Sequence, residues 1–289
     1  MSWFVFSFIS AIFTSFAAVL EKKVLFKSHA MEFASVLAVI NAVLVLPLFL
    51  FIDYANLELA PVLILFFISV IGAVAFLLMI KAIRHKEISE VAPLRIISPG
   101  LTAFLAFLFL HENLEKMDVF GIMFLVVGLF VLETRSWEGV SFWEYFKPSR
   151  YTLFIFGAIF LYSITALLDR YILSRYNFEP IAYIAFVHLF LAIHFLILHS
   201  TFHDGFHGLR RGISTLGGWI LLVALFTVIY RLAQIQAISM TSVGLAVAIR
   251  DISPLFTIII GGELFHEKNL LRKVIASFIM AGGVALIVV

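Results

Sequence analysis

The sequence predicts an all-α integral membrane protein whose ten transmembrane helices form two inverted five-helix repeats. Three observations lead to this fold class: the composition, ten apolar segments of membrane-spanning length, and a second half that repeats the first. Of the 289 residues, 63% are hydrophobic and 13% are charged, whereas soluble domains average roughly 45–50% apolar and about 25% charged residues. Nearly the whole chain is therefore expected to lie in or beside a bilayer, as a multi-pass protein of the cell membrane.

Ten segments are long and apolar enough to cross a membrane as helices. A helix rises about 1.5 Å per residue and the hydrocarbon layer is about 30 Å thick, so about twenty apolar residues are needed. The first segment follows no basic residue and is expected to be a retained span rather than a signal peptide. The spans are expected near residues 3–20, 33–52, 60–83, 88–110, 117–133, 151–173, 180–200, 217–238, 243–265 and 271–289.

The second half of the chain repeats the first. Residues 79–134 align without a gap with residues 234–289, so that "RIISPGLT" pairs with "RDISPLFT". "LEKKVL" at 20–25 and "LDRYIL" at 168–173 match at another offset, which extends the repeat to the first helices. Because each half has an odd number of spans, the halves are expected to be inverted about a pseudo-twofold axis in the membrane plane, as in many transporters. The predicted divisions are a first repeat at 1–134, an interfacial connecting loop at 135–150 and a second repeat at 151–289.

The fourth and fifth spans of both halves share further features. The fourth reads proline, an apolar run and glutamate, in "SPGLTAFLAFLFLHE" and "SPLFTIIIGGELFHE", and the fifth carries a late glycine. In these features the chain resembles the EamA family of the drug/metabolite transporter superfamily, although the family's usual Gly-Glu is His-Glu here. The resemblance implies a transporter rather than an enzyme. It would export or exchange small metabolites such as amino acids by alternating access, around a cavity lined by the third and fourth helices of each half.

Each half has an arginine four residues before a proline inside a predicted span. Proline has no amide hydrogen, so Pro99 and Pro254 should leave the carbonyls of Arg95 and Arg250 unpaired and bend both helices, as candidate hinges. A charge at membrane depth costs at least about 2.5–3.5 kcal/mol and usually faces protein or water. Because guanidinium groups bind carboxylate or phosphate with two hydrogen bonds, the arginines are candidates for binding an anionic group. The alternative is that they snorkel or tie helices together.

The halves differ most in their third and fourth spans, where specificity is expected to lie. Arg231, Gln234 and Asp251 replace Phe76, Met79 and Ile96. Asp251 is expected to be the one acidic residue well inside a span; it would carry a proton or, as the preferred interpretation, neutralise Arg231 or Arg250. Replacing Arg250 by glutamine is expected to reduce transport far more than folding. The predicted substrate-binding residues are Arg95, Ser98, Tyr230, Arg231, Gln234, Arg250, Asp251 and Ser253.

Two other groups of residues are interpreted as unrelated to the function. His199, His203 and His207 recur every four residues, but they lie at a span end and in a glycine-containing loop, so no metal or other cofactor is expected. The acidic residues Glu21 and Asp169, each followed by a basic residue, are interpreted as members of interfacial ion pairs. Since the chain has no cysteine, disulfides, thiolate metal sites and cysteine nucleophiles are excluded.

The expected partners are the lipid bilayer, a small-molecule substrate and a coupling proton or ion; the net charge of +2 does not indicate nucleic acid. A membrane enzyme acting on lipid and a non-transporting scaffold are the alternative functions. The orientation is also left open. The family resemblance implies cytoplasmic termini, whereas most Lys and Arg residues fall in loops that would then be external, contrary to the positive-inside rule.

Overall fold

The computed structural model describes residues 2–26, 29–86, 91, 94–95, 97–111, 115–133, 149–202, 216–253, 256–257, 260 and 270–288. These residues form ten α-helices, with the 3-10 helix Leu46–Phe51 directly after the second. The α-helices are α1 Trp3–Leu25, α2 Ala30–Val45, α3 Leu59–His85, α4 Ile97–Leu110, α5 Lys116–Glu133, α6 Arg150–Arg175, α7 Pro180–Phe202, α8 Trp219–Met240, α9 Val243–Arg250 and α10 Leu270–Val288.

Six of these helices are long and apolar enough to cross a membrane. They are α1, α2 with its 3-10 extension, α3, α6, α7 and α8. Each of the ten predicted spans overlaps one helix, but α4 is shorter and α9 has only eight residues. The all-helical membrane fold is therefore confirmed, and the count of ten spans stays a prediction.

The outer surface of the bundle is apolar, as expected for contact with lipid. Phe67, Phe109 and Phe278 are each more than 60% exposed, although phenylalanine favours a protein interior in water. A helix of a soluble protein would instead place polar residues on its outer face. The helices are therefore apolar both toward the core and away from it, which suits a lipid environment.

The helices pack mainly across the two halves of the chain. All of the most extensive pairs join the first half to the second: α1 with α8 and α9, α2 with α7 and α8, α3 with α6 and α7, α4 with α6 and α9, and α5 with α10. In the repeat, α1 corresponds to α6, α2 to α7, and so on to α5 and α10. Replacing every helix by its counterpart gives the same set of pairs. The packing thus has the twofold pattern that the sequence repeat predicts. The inversion of the halves relative to the membrane stays a prediction.

The duplication also extends to individual hydrogen bonds. Lys22 Nζ of α1 donates to the carbonyl of Ile83 in the last turn of α3, at 2.6 Å. In the second half, the Arg170 guanidinium of α6 donates to the carbonyl of Ile238 in the last turns of α8, at 3.0 Å. The two acceptors are equivalent positions of the repeat. A cation near the C-terminal end of a helix is favourable because the helix dipole is negative there.

The helix around Pro99 is interrupted rather than smoothly bent. Arg95 lies in a turn, and α4 begins two residues later at Ile97. The amide of Ser98 donates to the carbonyl of Arg95 at 2.9 Å. The expectation that this carbonyl is unpaired is therefore wrong, because a three-residue turn supplies the donor that proline lacks. A hinge at this break stays a prediction.

The equivalent region of the second half is described as far as Ser253. Helix α9 ends at Arg250, and the amide of Asp251 donates to the carbonyl of Val247 at 2.9 Å. Pro254 lies outside the described residues. The described helix thus ends four residues before this proline, at the arginine that corresponds to Arg95.

The close contact between α5 and α10 leads to a test of the packing. A methyl group at Gly128 would overlap Met280 and lie 3.1 Å from the carbonyl oxygen of Ala276. We expect Gly128→Ala to lower the free energy of unfolding by about 1–3 kcal/mol, because the side chain and the adjacent backbone must give way. Gly282→Ala is the matched control, since nothing lies within 4 Å of the added carbon. Denaturation of the purified proteins, followed by circular dichroism, compares them; equal midpoints would contradict the tight crossing.

Candidate substrate cavity

A central cavity lies between the first four helices of both halves. The empty space between and in front of its lining atoms, including open solvent, is about 1260 Å³. Side chains of α1, α2, α3, α6, α7, α8 and α9 line it, together with Arg95 and Ser98 at the start of α4. More helices line the cavity than predicted, because the first two helices of each half contribute residues in addition to the third and fourth. Among the described residues, α5 and α10 contribute nothing to the lining.

Five of the eight predicted binding residues line this cavity: Arg95, Ser98, Tyr230, Arg231 and Arg250. The other three do not.

Gln234 is only 3% exposed, and neither polar atom of its amide group has a hydrogen-bond partner among the described residues. Asp251 and Ser253 are buried beside the wall, and the carbonyl of Ser253 accepts a hydrogen bond from Thr257. The prediction that Gln234 faces the cavity is therefore wrong. Gln234 lies three residues after Arg231, on the same face of α8. At Gln234, however, one turn beyond Arg231, this face is covered by other helices.

Two of the arginines that line the cavity have no partner among the residues that the structure describes. Neither Arg95 nor Arg231 forms a hydrogen bond or an ion pair with a described residue. A guanidinium carries five donors, and burying it without acceptors is costly. These two groups therefore depend on the water or the solute in the cavity for their hydrogen bonds.

Arg250, in contrast, is neutralised by its neighbour Asp251. Its Nε and Nη2 atoms both lie 2.7 Å from Oδ1 of Asp251. The Arg250 side chain is 17% exposed and that of Asp251 2%. The ion pair that the sequence analysis preferred is present, so Arg250 lines the cavity with a compensated charge. Asp251 Oδ2 is buried, with no hydrogen-bond partner among the residues that are described.

Two acidic residues that were not among the predicted binding residues also line the cavity. Glu21 and Asp169 both line it and are 7% and 4% exposed, so their interpretation as interfacial ion pairs is wrong. Their basic neighbours, Lys22 and Arg170, instead bond to helix-end carbonyls of α3 and α8. Successive residues point about 100° apart around a helix, so the acid and the cation face different surroundings. The equivalence of the two acids in the repeat was the signal that pointed to a shared role.

The two acids differ in how they are held. The Tyr183 hydroxyl, which is fully buried, donates to Oδ1 of Asp169 at 2.5 Å. Glu21 forms no hydrogen bond with any described residue. Asp169 is therefore fixed in position by the protein, whereas the Glu21 carboxyl faces the cavity without a donor from the described part of the chain.

Neutral polar groups complete the lining. Thr14 Oγ1, Asn41 Oδ1 and His188 Nε2 belong to residues that line the cavity, and none of these atoms has a hydrogen-bond partner in the described ranges of the chain. No cluster of three potential metal ligands occurs in the part of the chain that the structure describes. His199 Nδ1 lies 3.2 Å from Ser35 Oγ, while His203 and His207 fall outside the described residues.

Comparisons with known proteins agree with the fold. The model of a family described as "EamA-like transporter family" matches residues 1–134 and 149–289. No curated protein matches the chain. A solved structure described as "Crystal structure of protein" is similar with a TM-score of 0.65 and 16% identity, over 96% of each chain. At this identity the likeness concerns the fold alone. The family match and the six apolar helices together make the chain a multi-pass integral membrane protein, and the cell membrane is the usual location for the family.

The ion pair between Arg250 and Asp251 can be tested with a double-mutant cycle. Arg250→Gln leaves a buried carboxylate without its cation, so we expect the free energy of unfolding to fall by about 3–5 kcal/mol. Asp251→Asn should cost less, because the guanidinium still reaches the cavity. The double variant should recover most of the loss. Denaturation midpoints of the four proteins measure the coupling, and strictly additive losses would contradict the pair. If the pair holds, loss of transport in Arg250→Gln does not by itself report on substrate binding.

Proposed function

Because this chain belongs to the EamA-like transporter family, we propose that it is a secondary transporter that exports or exchanges a small, amino-acid-like metabolite with an anionic group. The main observation in support is that the guanidinium groups of Arg95 and Arg231 line a central cavity and have no hydrogen-bond or ion-pair partner among the described residues. A carboxylate can accept two hydrogen bonds from one guanidinium, which supplies both charge and acceptors. The substrate would thus replace the water on which these two groups depend.

The two sides of the cavity differ in polarity, which supports a substrate with one polar and one apolar end. Arg231 of α8 corresponds in the repeat to Phe76 of α3, and both line the cavity. Met79, one turn further along α3, also lines it. A substrate whose anionic head lies against Arg231 and whose apolar part lies against α3 matches this division. Substrates that are charged at both ends would leave the apolar side without a complement.

Asp169 offers a place for the amino group of such a substrate. Its carboxylate lines the same cavity, and the charge of Arg231 acts on it without an ion pair between them. A carboxylate only accepts hydrogen bonds and a guanidinium only donates them, so together they complement a substrate carrying both an ammonium and a carboxylate. Tyr183 holds the aspartate in place for this contact.

The helix pairs suggest which parts move during alternating access. One group of helices consists of α1 and α8, which pack on each other, with α9 and α2 packed against this pair. The corresponding second group consists of α6 and α3, with α4 and α7 packed against them. These two groups of four helices each combine both halves of the sequence. We therefore expect the groups, rather than the two repeats, to rock against each other with the cavity between them. Rocking the repeats as rigid bodies would separate α1 from α8 and α3 from α6, whereas rocking the two groups keeps these pairs together and shifts the smaller contacts of α2 with α7 and of α4 with α9.

Transport measurements test the assignment of the free arginines. We expect Arg231→Gln to reduce the kcat/KM for an anionic substrate about tenfold or more, since a hydrogen bond to a charged group contributes about 1.5–3 kcal/mol. Arg175→Gln is the matched control, because Arg175 lies exposed at the end of α6. Proteoliposomes are first screened with labelled amino acids, nucleobases and sugar phosphates, and the variants are then compared on the transported compound. Unchanged kinetics in Arg231→Gln, with the control equally active, would refute this site.

A further inference from the structure

Glu21 is the charged residue of the cavity whose role the proposed binding of a substrate leaves unexplained. It lies in the last turns of α1, is 7% exposed and lines the cavity. No described residue donates a hydrogen bond to it. A buried carboxylate without donors is costly, whereas the protonated carboxyl is neutral and can itself donate. Carboxyl groups that face a cavity at membrane depth are characteristic of proton pathways.

The surroundings of Glu21 contain one strong electrostatic partner. The guanidinium of Arg95 acts on its charge from the start of α4, but the two form no ion pair. Helices α2 and α3 add no charged side chain to the cavity lining among the described residues. The other titratable or charged groups that face the cavity near Glu21 come from α6, α8, α9 and α7: Tyr162, Asp169, Tyr230, Arg231, Arg250, Tyr183 and His188.

The equivalent acid of the second half shows what distinguishes Glu21. Asp169 occupies the same place in the repeat, yet it accepts a hydrogen bond from Tyr183. A donor that stabilises the carboxylate form disfavours protonation. Only Glu21 of the two is without such a donor in the part of the chain that the structure describes. The two repeats thus share the position of the acid but not its surroundings.

We propose that Glu21 is a proton-binding site that couples proton transport to substrate transport. Its carboxylate takes a proton from the water of the compartment to which the cavity is open, forming an O–H bond, and releases the proton to the other compartment. This role rests on the proposed transport function. Protonation removes the negative charge that partly compensates Arg95, so an anionic group should bind Arg95 more tightly when Glu21 is protonated. By reciprocity, the anion favours the proton on Glu21, so the two cross in the same direction, and export of the anion down its own gradient would carry the proton out with it.

The first test needs no substrate and therefore separates this inference from the proposed function. Purified protein in phosphatidylcholine liposomes is titrated with acid and base while infrared difference spectra are recorded. We expect a carboxyl C=O band that disappears as the pH rises and that shifts when all glutamates carry ¹³C carboxyl groups. The band should be absent in Glu21→Gln, and it should persist in Asp169→Asn and in Glu21→Asp, with its frequency changed in the latter. The other acidic residues contribute equally to both spectra, so wild-type and Glu21→Gln titrations that contain the same C=O bands would overturn the proposal.

The second test concerns coupling and uses phenylacetate as the anionic probe, because it joins a carboxylate to an apolar body. In wild-type protein the affinity for phenylacetate should rise as the pH falls. Glutamine resembles the protonated side chain in shape and charge, so Glu21→Gln should bind the probe with the high affinity at every pH. Weaker binding by the variant, or an unchanged pH dependence, would contradict the coupling. If wild-type protein neither binds phenylacetate nor transports any screened compound, the proposed function fails, and the infrared titration still decides whether Glu21 binds a proton.

Discussion

Charged side chains inside an apolar bundle require compensation, and this requirement accounts for the central cavity. Three arginines and three acids lie along or beside it: Glu21, Arg95, Asp169, Arg231, Arg250 and Asp251. Among the described residues, only Arg250 and Asp251 form an ion pair with each other. The other four charges have no such partner there, although Tyr183 donates to Asp169, and contact with water or a solute lowers the cost of burying them, which is several kcal/mol for a dry charge. A fully packed bundle is therefore incompatible with this sequence, whereas a cavity between the four inner helices of each half satisfies it.

The fold class was predictable because composition, span length and the internal repeat are direct properties of the sequence. The partner of each helix was not. Apolar periodicity identifies the side of a helix that is buried, but these helices are apolar toward lipid as well as toward the core. For instance, Phe67 of α3 is exposed and Leu65 is fully buried. The sequence therefore contains little information about which helices meet, and the dominance of contacts between the halves emerged only from the structure.

The candidate site was predicted in part, and the misses have a common cause. Arg95, Arg231 and Arg250 were recognised because a charge within an apolar run is conspicuous. Glu21 was misjudged because a lysine follows it directly, and a pair of neighbours suggests an ion pair. On a continuous helix, adjacent side chains do not face each other, so that pairing does not form. Arg250 and Asp251 are also adjacent, yet they do pair, because α9 ends at Arg250 and the chain turns there. In both cases the local backbone, and not the sequence spacing alone, determines whether neighbouring charged residues pair.

The two halves correspond in their helix-helix contacts but differ in the side chains that line the cavity. The contacts of α1 with α8 and of α3 with α6 correspond, as do the bonds from Lys22 to Ile83 and from Arg170 to Ile238. In the cavity, however, Arg231 corresponds to Phe76, and only one of the two equivalent acids is held by a tyrosine. A carrier built from a repeat needs equivalent mechanics to open toward either side. Its ligand has no such symmetry, so the side chains that contact the ligand are free to diverge while those that join the helices are not.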